Sequence, residues 1–212
     1  MKEQNIYKRH EIIIGDYLMS FKDALLKEFL DFHKDFNTTF NKAEIVRPVY
    51  DVSSLVTHPE AWKVYTIKYK FEERDYELDK FKSLFFPTAV KLTKEFGDDC
   101  PISTYSILEA NSIIARHTGV ENRSAEFIRI HIPLLVPEGD VFFEVEGEEV
   151  DWSDLFAFNN QKLHSAYNYT PHRRLVYLID IRRSRLGLPP GEPWVGHNHR
   201  YDIPPFVRKV SP

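Results

Sequence analysis

Nine histidines are spread along this chain of 212 residues, and three of them, His117, His131 and His164, fall inside or at the ends of segments that read as β-strands. Imidazoles carried on the strands of a small barrel, aimed inward at its mouth, are able to converge on one metal ion. A strand-borne His taken alone is more often a structural residue, so it is the surrounding pattern that gives these three their interest. The other histidines lack such company. His197 and His199 are spaced like a chelating pair, but they stand in a Pro/Gly-rich tail with no matching third donor. His10, His33 and His58 have no partner pattern, and His172 is not read as a ligand. From Glu138 to Asp154 there are eight acids and no Lys or Arg. They lack the ligand spacing of a calcium loop and read as a solvated hairpin. A single cysteine, Cys100, excludes both an internal disulfide and a Cys-rich zinc site.

The elements that must position these residues change character along the chain. Leu18, Phe21, Leu25, Phe29, Phe32 and Phe36 recur at helical spacing between Lys, Glu and Asp, with Ser20 or Asp16 placed to cap the start. This stripe is expected to pack on the main core, a homodimer contact being the alternative. Tyr65, Ile67, Tyr69 and Phe71 alternate with polar residues as a half-buried strand does. In FFPTAVKLTKEFG, Pro87 is placed for a helix's first turn and Gly97 for its end. Short strands then follow at near-even spacing: 104–108, 112–116, 127–135, 141–145, 155–158 and 175–181, separated by turn-rich segments. That succession predicts an α+β, mainly β fold, a sandwich or jelly roll preceded by helices. The expected division is a helical appendage over 1–60, a β domain over 61–183 and a Pro-rich basic tail over 184–212 that wraps it.

Composition narrows the function classes. Hydrophobic residues are 42% and charged residues 28%, an ordinary globular profile, and the net charge of -4 gives no general attraction to nucleic acid. No apolar run is long enough to span a membrane and no secretory leader is evident, so a cytoplasmic setting is expected.

Four ordered motifs carry a resemblance: YSILEANSIIARHTG, FIRIHIPLLVP, WSDLFAFNNQKLHSAYN and RRLVYLIDI. Together, from about Trp62 to Arg183, they resemble the aspartyl/asparaginyl β-hydroxylase family of iron(II)- and 2-oxoglutarate-dependent dioxygenases. The resemblance implies a double-stranded β-helix core of cupin type. It implies Fe(II) on His117 and His164, with O₂ and 2-oxoglutarate as co-reactants. It also implies Arg174 on the far carboxylate of 2-oxoglutarate with Ser106 sharing it, and Arg129 and His131 on the 2-oxoglutarate head or a substrate carboxylate. Arg129, Arg116 and Arg123 are then candidate clamps for an amino acid or peptide substrate. Two positions depart from the common pattern. Gly119 stands where many dioxygenases carry a carboxylate ligand, and Phe158-Asn159-Asn160 stands where the family often has Phe-Asp-Asp. The first departure keeps a halogenase open beside the hydroxylase, and a non-enzymatic jelly-roll binding module is the third reading.

Overall fold

The computed structural model describes residues 3–39, 57, 61–71, 74–76, 80–119 and 125–192. The apolar stripe near the start folds as two helices, α1 (Gly15–Met19) and α2 (Lys22–Thr39). Ser20 lies at the break, where its hydroxyl donates to Tyr17 O at 2.7 Å and its N–H to Asp16 O. Asp16 is therefore inside α1 and Ser20 ends it, which corrects the expectation that one of them caps a single helix. A serine that satisfies a nearby carbonyl competes with helix propagation.

Among the described residues, eleven strands and two further helices follow or flank these: β1 (Ile6–Lys8), β2 (Trp62–Phe71), β3 (Arg74–Tyr76), α3 (Lys80–Phe85), α4 (Pro87–Phe96), β4 (Ile102–Leu108), β5 (Ser112–His117), β6 (Phe127–Leu135), β7 (Val141–Val145), β8 (Glu148–Glu149), β9 (Phe156–Phe158), β10 (His164–Asn168) and β11 (Arg174–Arg182). Helix α4 begins at Pro87 and stops at Gly97, whose φ of 51° suits a residue without Cβ. Its start is capped from another helix: the buried Glu28 carboxylate of α2 accepts the Thr88 and Ala89 amides at 2.7 and 2.9 Å.

Two antiparallel sheets form, ordered β1-β9-β6-β11-β4-β2-β3 and β5-β10-β7-β8. The fold is mainly β with few helices, the class that the strand spacing predicts. Residues of the large sheet alternate between two different partners. On one face Tyr65, Tyr105, Ile107, Ile130, Ile132, Tyr177 and Ile179 pack against Leu25, Phe29, Phe32, Phe86 and Leu92 of the helical layer. The helical stripe thus lies on the core; the side chain of Phe36 is outside the described residues. On the other face Leu108, Phe156 and Phe158 meet Ile114, Phe143, Val145 and Ala166 of the small sheet. Because both faces are covered, β4 is buried at every position and β11 at all but its last. Polar residues in those strands must therefore be satisfied internally or by a ligand.

The acidic segment forms the β7–β8 hairpin, turning through Glu146 and Gly147, both at positive φ. Strand β1, which the sequence reading lacks, is three residues long and pairs with β9. After β11 a 3₁₀ turn over Arg183–Leu186 ends at Gly187, and the Gly191 amide reaches Ala125 O. Residues 193–212, with His197 and His199, lie outside the described residues, as do His58 and Arg123. No helix among the described residues is long and apolar enough to cross a membrane.

Candidate active site

The space between the sheets narrows to a cleft of about 370 Å³, its open mouth included, lined by residues of both sheets. His117 ends β5 and His164 begins β10, and the two are register partners in that ladder. Two residues further along β10, Ala166 faces Ile114, whereas a regular count would place it opposite Ala115. Strand β5 therefore holds one extra residue between Ile114 and His117. In a regular strand, residues three apart point to opposite faces. The bulge brings Ile114 and His117 to the same face, and both line the cleft.

The imidazole rings of His117 and His164 are 4.2 Å apart between centroids. Each places Nδ1 2.8 Å from the carbonyl two residues earlier, His117 on Ala115 O and His164 on Lys162 O. A carbonyl only accepts, so each Nδ1 carries the hydrogen and each Nε2 keeps a lone pair, the tautomer a metal ligand requires. Burial, and then the neighbouring His117 ring, hold His164 well below the ordinary histidine pKa, so it stays neutral. The third strand-borne histidine, His131, is boxed by Phe143, Trp152, Phe156 and Phe158, stacking on Trp152 at 5.9 Å. Burial first, then the charges of Arg174 and Arg129, push its pKa well down, and its Nδ1 has no hydrogen-bond partner among the described residues.

Arg174 opens β11 with 2% of its surface exposed. Its guanidinium lies 5.0 Å from the Trp152 ring centroid, and its Nε and Nη1 have no hydrogen-bond partner among the described residues. Desolvation pulls its pKa from 12.5 to about 9. A buried cation with unfilled donors beside a cleft is an uncompensated charge, one that an anion in the cleft would offset. Ser106 stands on the adjacent strand β4, where its Oγ accepts the Trp62 indole N–H at 2.9 Å and keeps its own hydrogen to donate.

The remaining predicted residues are placed differently. Arg129 lines the cleft beside His131, but Asp180 of β11 already meets it with two bonds, at 2.8 and 3.0 Å. Arg116, expected as a substrate clamp, does not line the cleft: it alternates with His117 on β5 and bonds Glu144 at 2.6 Å. The amide of buried Gly119 donates to Asn160 O at 2.6 Å, joining the exit of β5 to the turn before β10. Among the described residues no three His, Cys, Asp or Glu side chains gather as a metal site, and His117 and His164 stand together as two.

Sequence reasoning missed Trp62, Trp152 and Asp180. A signal for Asp180 was present: it is the lone acid in the apolar run LVYLIDI, and a charge there needs a partner. Trp152 lies in the acidic segment, whose net charge hides one residue that turns inward.

Among solved structures the chain is similar to a prolyl-4-hydroxylase from Pseudomonas putida, at 10% identity and a TM-score of 0.43, covering 76% of this chain and 87% of that one. It is similar to a prolyl hydroxylase from Trichoplax adhaerens, at 14% identity and a TM-score of 0.42, covering 78% and 80%. An oxidoreductase of the 2OG-Fe(II) oxygenase family from Burkholderia pseudomallei matches at 14% identity and a TM-score of 0.42, covering 59% and 69%. No curated protein matches the sequence. The family model for aspartyl/asparaginyl β-hydroxylases matches residues 22–184, a span that holds both helical and β layers and every residue lining the cleft. The chain therefore belongs to the aspartyl/asparaginyl β-hydroxylase family and is a hydroxylase.

Proposed function

We propose that the chain hydroxylates an unactivated carbon of an amino acid, or of an Asp/Asn-type residue in a peptide, using Fe(II), O₂ and 2-oxoglutarate. The observation that carries this reading is the juxtaposition of two Nδ1-anchored imidazoles with the unfilled guanidinium of Arg174 in one cleft. The donor set fits the group: two neutral nitrogen ligands leave several positions for a chelating 2-oxo acid and O₂. Bound at His117 and His164, ferrous iron supplies O₂ activation coupled to decarboxylation of 2-oxoglutarate, so that RH, O₂ and 2-oxoglutarate become ROH, succinate and CO₂.

The chain's own residues bind, orient and dry the site. Arg174 would be the counter-charge for the far carboxylate of 2-oxoglutarate, and the Ser106 hydroxyl, aimed by Trp62, would donate to the same carboxylate. Phe143, Phe158 and Ile114 line the walls and exclude water. The Ala115 and Lys162 carbonyls hold both ligand tautomers. Since Asp180 and Glu144 already satisfy Arg129 and Arg116, Arg174 is the cation most in need of an anion.

The test is anaerobic. Fe(II) and 2-oxoglutarate added to the chain are expected to give the visible charge-transfer band of the chelate. In air, a matching amino acid or peptide is expected to stimulate succinate formation without added halide. A strict chloride requirement with a chlorinated product overturns hydroxylation in favour of halogenation, which Gly119 keeps in view. No band and no succinate overturns the assignment altogether.

A further inference from the structure

His164 takes its orientation from a carbonyl outside its own strand. Lys162, whose O accepts the His164 Nδ1–H, belongs to the turn between β9 and β10, whereas His117 bonds Ala115 within β5. That turn is held by the segment that precedes β1. The Lys162 ammonium donates to Glu3 O at 3.2 Å, Gln4 O at 3.1 Å and Asn5 Oδ1 at 2.9 Å. An ammonium has three donors, and here three oxygens of one short segment meet them.

Glu3 anchors the segment in turn. Its buried carboxylate accepts Asn159 Nδ2 at 3.1 Å and the Glu192 amide at 3.2 Å, and it pairs with the buried guanidinium of Arg183. The turn also touches the other ligand strand, through Gly119 N–H on Asn160 O. So residues more than 150 positions from His164 in sequence hold the side chain of the residue whose carbonyl sets its ring, while the N–H of the same peptide group, that of Leu163, donates to Glu146 Oε1 at 2.8 Å.

We propose that Glu3–Asn5 act as a strap on this turn, making Lys162 and Glu3 positioning residues that set the His164 ring and thereby the affinity of the metal pair. The inference rests on the reading of His117 and His164 as that pair. The physical reason is directional. A ring nitrogen binds metal along a narrow lone-pair axis, and the ring is steered by whatever accepts its other N–H. A carbonyl on a loosely held turn steers poorly, and the Lys162 tether acts together with the Glu146 bond to the same peptide group in holding it.

The experiment titrates Co(II) into the metal-free full chain by calorimetry and absorption, with folding checked by circular dichroism in chelator. Lys162→Met keeps the aliphatic stem and removes all three bonds. It is expected to weaken Co(II) binding by about 10–100-fold, as loss of a ligand-orienting partner does, and to alter the Co(II) spectrum. Lys162→Arg is expected to restore most of the affinity, and His164→Ala to abolish binding. Wild-type affinity in Lys162→Met, with binding lost in His164→Ala, overturns the strap and leaves the metal pair standing. Wild-type affinity in His164→Ala overturns the metal pair itself. If Lys162→Met fails to fold, Asn5→Ala removes one of the three acceptors and is expected to give a smaller weakening; no weakening there overturns the strap.

Discussion

His117 and His164 face each other across the β5–β10 ladder with the same internal arrangement, Nδ1 on the carbonyl two residues back and Nε2 as the nitrogen that keeps its lone pair. Neither ring needs a carboxylate to fix its tautomer, so both stay oriented with Asn159 and Asn160, not acids, in the turn before β10. Replacing either ring by Ala is expected to abolish succinate formation. Metal affinity should fall by more than the roughly 10–100-fold typical of losing an orienting partner. Co(II) titration checks this, and retained affinity in His117→Ala would exclude it as a ligand.

Arg174 poses an opposite balance of stability and binding. Its guanidinium is buried with two nitrogens unfilled, so the ligand-free fold bears an uncompensated charge. Arg174→Met is therefore expected to leave the ligand-free chain at least as stable in urea as the wild type. Its affinity for 2-oxoglutarate should fall by about 30-fold or more, the roughly 2 kcal/mol lower bound for truncating one partner of a buried charge pair. Added 2-oxoglutarate should raise the wild-type midpoint more than the variant's at the same concentration.

Much of this arrangement was legible in the sequence, and the parts that were not share a physical cause. Strands such as Phe127–Leu135 and helix Pro87–Phe96 were readable because period, Pro and Gly act locally. The pairing of His117 with His164 was readable only through family resemblance, since periodicity places a residue on a face and says nothing of which strand lies opposite. The β5 bulge shows the limit sharply: a regular count would turn His117 away from Ile114. Likewise the reading of Arg129 as a ligand clamp could not foresee Asp180. The two residues are 51 apart in sequence and meet only because β6 and β11 are neighbours in register.

Arg129 and Asp180 form a buried pair with side chains 8% and 0% exposed. Asp180→Asn removes the charge and one of the two bonds while leaving Arg129 in place. It is expected to destabilise the chain by about 3–5 kcal/mol, the usual penalty for stranding one member of a buried pair. Arg129→Met combined with Asp180→Leu should cost less than Asp180→Asn alone, because no charge is left unmet. Urea midpoints of the three variants decide it; a double variant worse than the single would show that Arg129 is held chiefly by something other than Asp180.

His131 makes stability depend on pH. In the fold its pKa lies well below 6.5 because it is buried among aromatic rings beside two guanidinium groups. The unfolded chain regains the ordinary value near 6.5 and takes up a proton below it. Protons then favour the unfolded state, so the stability that depends on neutral His131 is present above about pH 6.5 and is lost as pH falls, at about 1.4 kcal/mol per pH unit. His131→Phe removes this dependence while keeping a ring in the box formed by Phe143, Trp152, Phe156 and Phe158. His164 is present in both chains, so the comparison reads the change made at position 131. Between pH 7.5 and 5.5 the metal-free wild type is therefore expected to lose about 1–1.5 kcal/mol more than His131→Phe, measured by urea unfolding in chelator. Parallel losses in the two chains would mean that His131 is protonated within the fold, and that its place between Arg174 and Arg129 is held by a charge the cleft is able to accommodate.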